Sequence, residues 1–251
     1  MSPSPIVALC NVGKTFPNGT VALQNFELDV RDGEFVSLLG PSGCGKSTAL
    51  RLIAGLGAPS AGTIEWAERD AARTIGFVFQ EPTLMPWATV SGNVRLPLKL
   101  KGTAEPEGAA QVAETLAGVG LADFARAYPR ELSGGMKMRV SLARALVTKP
   151  KLLLMDEPFA ALDEITRFRL ANDLLRLWQA LGKTVVFVTH SVFESVFLSQ
   201  RIALMTARPG RISAQLSIAV PYPRDAAFRT SPEYAAYCRQ ASARLGDAMA
   251  A

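Results

Sequence analysis

The sequence predicts an α/β fold: a mostly parallel sheet with an antiparallel β edge and an inserted α-helical subdomain. Two observations carry this. Short apolar runs recur between helical patterns, as strands buried on both faces require. A stretch in the middle of the chain, 81–149, lacks such runs and reads as helices punctuated by Gly102, Pro106 and Gly108.

Val21–Val30 (VALQNFELDV) alternates apolar with polar residues, the pattern of an antiparallel edge. Glu34–Leu39 (EFVSLL) reads as a buried strand, Gly40–Gly45 as a loop and Lys46–Leu56 as a helix. Thr74–Phe79, Leu152–Met155, Thr184–Thr189 and Ile202–Met205 are further buried strands. A helix over Leu162–Leu181 places Leu162, Ile165, Phe168, Leu174, Leu175, Trp178 and Leu181 at helical spacing. Asp163 and Glu164 fall in its first turn, where the helix dipole favours negative charge. The expected division is a sheet core over 1–80 and 150–215, a helical subdomain over 81–149 and a short C-terminal extension over 216–251. The extension is too short for a large regulatory domain.

Composition bounds the function. With 251 residues, 49% hydrophobic and 20% charged, the chain can bury a sizeable core. A net charge of +5 is ordinary surface charge and indicates no nucleic-acid partner. Cys10, Cys44 and Cys238 are dispersed and odd in number, which suits a reducing compartment. A single histidine and the lack of a CxxC pair argue against a transition-metal centre. The start, Met1-Ser2-Pro3-Ser4-Pro5, does not read as a signal peptide. No apolar run approaches the roughly 20 residues of a membrane span, so any membrane role is expected to come through a partner.

Gly40-Pro41-Ser42-Gly43-Cys44-Gly45-Lys46-Ser47 fits GxxxxGK[ST] between a strand and a helix. Glycines let successive N–H groups curl round phosphate oxygens, and the helix N-terminus faces the same anion. Lys46 can reach the outer phosphates, and the Ser47 hydroxyl can ligate Mg²⁺. A second strand ends in Asp156-Glu157. Adjacent side chains at a strand end point in different directions, so one carboxylate can face a metal and the other an attacking water. Alone, either motif could be a helix cap; together they point to phosphoryl transfer.

Leu132-Ser133-Gly134-Gly135-Met136 resembles the signature motif of ABC ATPases, usually LSGGQ. Other elements of that family match in order over Ile6–Ile212. Gln80 resembles the Q-loop glutamine, Ala160-Ala161-Leu162-Asp163 the D-loop, His190 the switch histidine and Phe16 the aromatic that stacks on adenine. The resemblance implies a P-loop NTPase core of RecA-like type, with ATP and Mg²⁺ as cofactors. It implies a homodimer in which each ATP lies between two chains. One chain contributes Phe16, the loop from Gly40 through Ser47 with Thr48, and the catalytic residues Glu157, His190 and Gln80, with Ser47, Gln80 and Asp156 at the metal. The other contributes Ser133, Gly134 and Gly135. It further implies a peripheral subunit at the cytoplasmic face of a bacterial inner membrane, docked to a permease near Gln80–Val94 and fed by a periplasmic or extracellular solute-binding protein.

LSGGM and Leu84–Val90 (LMPWATV) are similar to importers of the nitrate, sulfonate and taurine group. THSVFESVFLSQRI and ARPGRI are similar to branches linked to thiamine-precursor pyrimidines. Met136, Met138 and Ser191 depart from the commonest family residues without touching the lysine, the metal ligands or the base. Three alternatives stand beside import: a soluble ABC ATPase acting on nucleic acid, a non-catalytic regulatory module and a small-molecule P-loop kinase. The missing coiled-coil insertion and tandem unit speak against the first, the intact Lys46, Asp156, Glu157 and His190 against the second, and LSGGM against the third.

Overall fold

A computed structural model describes residues 5–68 and 74–250. In chain order they form β1 (Pro5–Thr15), β2 (Val21–Arg31), β3 (Phe35–Leu39), α1 (Lys46–Ile53), β4 (Ala61–Trp66) and β5 (Ile75–Val78). Then follow α2 (Val90–Leu100), α3 (Glu105–Gly118), α4 (Gly134–Leu146), β6 (Leu152–Asp156) and α5 (Glu164–Leu181). The last elements are β7 (Thr184–Thr189), α6 (Val192–Leu198), β8 (Arg201–Met205), β9 (Ile212–Ser217), α7 (Ala226–Arg229) and α8 (Pro232–Ala250). The chain divides into two compact units, Met1–Arg73 with Thr184–Ala251, and Thr74–Lys183.

In the first unit, β7, β3 and β8 lie parallel in that order, and β9 pairs antiparallel with β8. Every residue of β3, β7 and β8 is buried, which is why their sequences are mostly apolar. The antiparallel edge forms a sheet of its own, ordered β2-β1-β4. In β2, Phe26, Leu28 and Val30 face inward while Gln24, Asn25 and Glu27 are exposed. A strand with one wet face cannot sit inside a sheet covered on both sides.

Arg201 locks β8 in place. It is 5% exposed and donates Nε to Glu34 Oε1 (2.7 Å) and Nη1 to Asp29 Oδ1 (3.1 Å) and Gln215 Oε1 (2.8 Å). Burial alone would lower its pKa; the pairing with Glu34 and Asp29 outweighs this and leaves it above the ordinary value. Helix α1 stops at Ile53, short of the expected Leu56, because Gly55 and Gly57 do not propagate it; Leu56 is left 62% exposed.

In the second unit, β5 and β6 pair in parallel. Helices α2, α3 and α4 close over a core that includes Val90, Val94, Leu116, Leu132, Val140 and Val147. Helix α5 corrects two expectations. Asp163 is its N-cap rather than a first-turn residue, with Oδ1 accepting from Thr166 N (2.9 Å), and Leu162 lies outside the helix. Its buried stripe is Leu170, Ala171, Leu174, Leu175 and Trp178, whereas Ile165, Phe168 and Leu181 are exposed. Leu170, Leu174 and Trp178 recur every four residues along one face. Ile165 and Phe168 lie well round the helix from that line.

Candidate active site

The first unit brings the candidate glycine loop and His190 to the carboxyl ends of its parallel strands, the place where open α/β sheets bind ligands. In the pairing of β3 with β7, Leu39 stands opposite Thr189, so the phosphate loop and His190 leave neighbouring strands side by side. β8 ends level with β3, and the turn after it returns over the loop.

The loop owes its path to its glycines. Gly43 and Gly45 have φ of +75° and +105°, a region that side-chain-bearing residues rarely occupy. At Gly45 a Cβ would also lie 2.8 Å from Ala22 O. Gly45 caps α1 in this left-handed conformation. No side chain caps the helix, and its first turn has no acidic residue. The opening N–H groups of α1, where Ser47 and Thr48 sit, are therefore suited to an anion. Lys46 is 4% exposed and donates Nζ to Gly40 O (2.9 Å) and Pro41 O (3.0 Å), folded along the loop it is expected to serve. Ser42 and Gly43 are exposed, Pro41 is half-buried and Cys44 is buried.

Two residues whose contribution the sequence does not disclose brace this loop. Arg208 donates Nε (3.2 Å) and Nη2 (3.0 Å) to Gly43 O. Gly210 packs so closely that a Cβ would lie 2.1 Å from Cys44 O, and it is tied to the adjacent strand through Ala22 O (2.9 Å). In the sequence they are part of ARPGRI, which carries a family likeness but no sign of a contact with the glycine loop. Phe16 sits in the β1–β2 turn, 39% exposed as a residue, with Lys14 Nζ 5.6 Å from its ring centroid, open to a stacking partner. His190 is exposed at the end of β7.

The second unit repeats the arrangement. Val78 of β5 stands opposite Met155 of β6, so Gln80 and Asp156-Glu157 leave adjacent parallel strands at their carboxyl ends. Asp156 is 7% exposed. Glu157 is half-buried at φ +44°, a costly conformation for a side-chain-bearing residue. Ala160 N closes the turn on Glu157 O (3.1 Å).

Ser133 caps α4, its Oγ accepting from Met136 N (3.3 Å). The two glycines that follow differ. Gly134 is exposed, with Leu162 Cδ2 at an ordinary 3.5 Å from a notional Cβ. Gly135 is buried, and a Cβ there would lie 2.7 Å from Thr166 Cγ2 of α5. Close packing of α4 on α5 therefore demands glycine at this position whatever it does for a ligand. Gly135→Ala is expected to destabilise the chain by about 1–3 kcal/mol through overpacking, with Thr166→Ser recovering part of the loss. Denaturant unfolding measures both; wild-type stability in the single variant would contradict the packing argument.

After Gln80 the chain is held from two sides. Arg144 donates to Pro82 O and Thr83 O, each at 2.8 Å. Fully buried Asn93 binds Met85 N (2.7 Å) and the carbonyls of Met85, Ala88 and Thr89. Val90 and Val94 enter the core, with Leu84 packed against it, whereas Trp87 is 77% exposed.

Among the described residues there is no cluster of three or more His, Cys, Asp or Glu that could hold a metal. The candidates Ser47, Gln80 and Asp156 offer oxygen only. That donor chemistry fits Mg²⁺, which binds few protein oxygens and completes its shell with phosphate and water.

Residues 23–160 match the ABC transporter family. The chain is similar to a nitrate import ATP-binding protein of Synechocystis sp., 44% identical over 93% of this chain and 91% of the relative. It is similar to an aliphatic sulfonates import ATP-binding protein of Bacillus subtilis, 45% identical over 85% of this chain and 83% of the relative. The fold is similar to the dimeric ATP-binding cassette MJ0796 bound to ADP and Pi, with a TM-score of 0.74 and 35% identity over 86% of this chain and all of that one.

Proposed function

The chain belongs to the ABC transporter family as an ATP-hydrolysing, nucleotide-binding subunit, and from that premise we propose that it powers import of a small solute of the nitrate or sulfonate kind. The observation that carries the ATPase part of the reading is the register of β3 with β7, from whose ends the glycine loop and His190 leave side by side. The names of the Synechocystis and Bacillus relatives support the solute class.

The roles follow from chemistry. Gly40 through Thr48 wrap the phosphates, Lys46 neutralises the outer ones and Phe16 stacks on the base. Ser47, Asp156 and Gln80 hold Mg²⁺. The ion, when bound, offsets charge that develops on the phosphoryl oxygens. Glu157 orients and polarises the attacking water, and His190 holds the γ-phosphate and water in line. The chain acts as a homodimer, as the MJ0796 cassette does, with Ser133, Gly134 and Gly135 of one copy closing on the nucleotide of the other. The working division is an ATPase core over 1–80 and 150–215, a signature subdomain over 81–149 and a C-terminal extension over 216–251.

Among the described residues no helix is long and apolar enough to cross a membrane. The names of the import relatives support a subunit that acts peripherally, at the cytoplasmic face of the bacterial inner membrane, through a permease docked along Gln80–Val94 and supplied by a solute-binding protein. Trp87 is the anchor of that surface. In vesicles reconstituted with a permease of the nitrate or sulfonate class, uptake of nitrate or an alkanesulfonate is expected to require MgATP. Trp87→Ala is expected to weaken docking by about 2 kcal/mol or more, so that hydrolysis persists while uptake falls. Undiminished uptake in that variant would contradict the docking surface, and failure to transport any such anion would contradict the solute class.

A further inference from the structure

The helix that follows His190 is gripped at both ends. α6 spans only Val192–Leu198, too short to hold itself. At its start Thr189 donates its hydroxyl to Glu194 Oε2 (2.6 Å) and accepts from Ser191 N (2.9 Å), while Ser191 Oγ accepts from Glu194 N (3.3 Å). The two residues flanking His190 are thereby bonded into the first turn of the helix.

The other grip comes from the C-terminal segment. Arg224, 4% exposed, shares Nη1 among the carbonyls of Val196 (3.0 Å), Phe197 (3.1 Å) and Ser199 (2.9 Å). Its Nη2 reaches Val220 O (2.9 Å) and Ile218 O (3.3 Å), so one guanidinium ties the end of α6 to the strand exit after β9. The Tyr222 hydroxyl donates to Leu198 O (2.8 Å) and the Tyr234 hydroxyl to Phe193 O (2.9 Å). The Arg229 guanidinium lies 3.4 Å from the centroid of the Phe197 ring. Carbonyls that the C-terminal end of α6 leaves unpaired thus go to Tyr222 and Arg224, while Tyr234 holds its first turn. The Tyr222 phenol is a donor near neutral pH, and burial pushes it up further, to about 12.

We propose that the segment from Tyr222 to Tyr234 sets the position of His190 for hydrolysis, with Arg224, Tyr222 and Tyr234 as positioning residues that act through α6. The inference rests on the assignment of His190 to the γ-phosphate and its water. A small displacement of a group that aligns a reacting pair lowers turnover far more than ground-state binding.

The chain contains one histidine, so its imidazole resonances identify themselves. Arg224→Lys keeps the charge but loses the fork. Tyr222→Phe combined with Tyr234→Phe keeps both rings and removes only two hydroxyl donors; it decides the matter if Arg224→Lys fails to fold. The expected result is about ten-fold lower kcat for MgATP hydrolysis with nucleotide affinity held within about two-fold, accompanied by displaced His190 imidazole resonances. Wild-type kcat in a folded variant, a fall in kcat with unmoved resonances, or an equal loss of nucleotide affinity would each overturn the proposal. His190→Ala separates the two layers. Wild-type hydrolysis in that variant removes the histidine's assignment itself. An inactive His190→Ala beside a fully active double tyrosine variant rejects the C-terminal grip alone.

Discussion

Glu157→Gln is expected to bind MgATP as tightly as the parent chain and to hydrolyse it at least about 10²-fold more slowly, the low end of what a positioned general base contributes. The substitution preserves size and the capacity to hydrogen-bond, so the turn that begins at Glu157 O is retained. What it removes is a negative oxygen able to accept a proton from water. The φ of +44° at this residue strengthens the expectation. A fold tolerates a strained, side-chain-bearing residue after a buried strand where the placement of that side chain matters. Binding by fluorescence titration and phosphate release by a coupled assay give the two readings. Wild-type turnover would refute the assignment of the base, and a parallel loss of binding would show that Glu157 serves the nucleotide rather than the water.

Lys46→Ala is expected to act on the other parameter. Loss of a charged donor to phosphate costs about 1.5–3 kcal/mol, or roughly 10- to 100-fold in nucleotide affinity. In the structure Lys46 also bonds Gly40 O and Pro41 O, so alanine would slacken the loop as well and push the effect to the upper end. Lys46→Arg restores the charge but not the compact ammonium that fits along this loop, and is expected to recover only part of the affinity. Nucleotide titration measures the series; an unchanged dissociation constant for the alanine variant would contradict the role of Lys46.

The strands and the chemistry were legible because each is written locally. EFVSLL and TVVFVT are mostly apolar because β3 and β7 are buried on both faces, and GPSGCGKS places Gly43 and Gly45 where the backbone turns left-handed. Elements defined by remote partners were not legible. β4 (AGTIEW) is largely exposed and has no apolar alternation; it exists because β1 pairs with it. The inward face of α5 depends on what packs against it, so Ile165 and Phe168 match a helical pattern yet stay at the surface. Arg224 reads as surface charge until the carbonyls of α6 surround it. Arg208 likewise acquires a role only through Gly43, far from it in sequence. Within LSGGM the sequence shows two glycines alike, and only the approach of Thr166 sets Gly135 apart from Gly134.

Isothermal titration of the purified 251-residue chain with MgATP tests the central claim most directly. Saturable binding of a single nucleotide per chain, weakened by Lys46→Ala and retained by Glu157→Gln, is the predicted result. A chain that gives no saturable heat with MgATP would contradict the assignment of the phosphate loop and every role built on it.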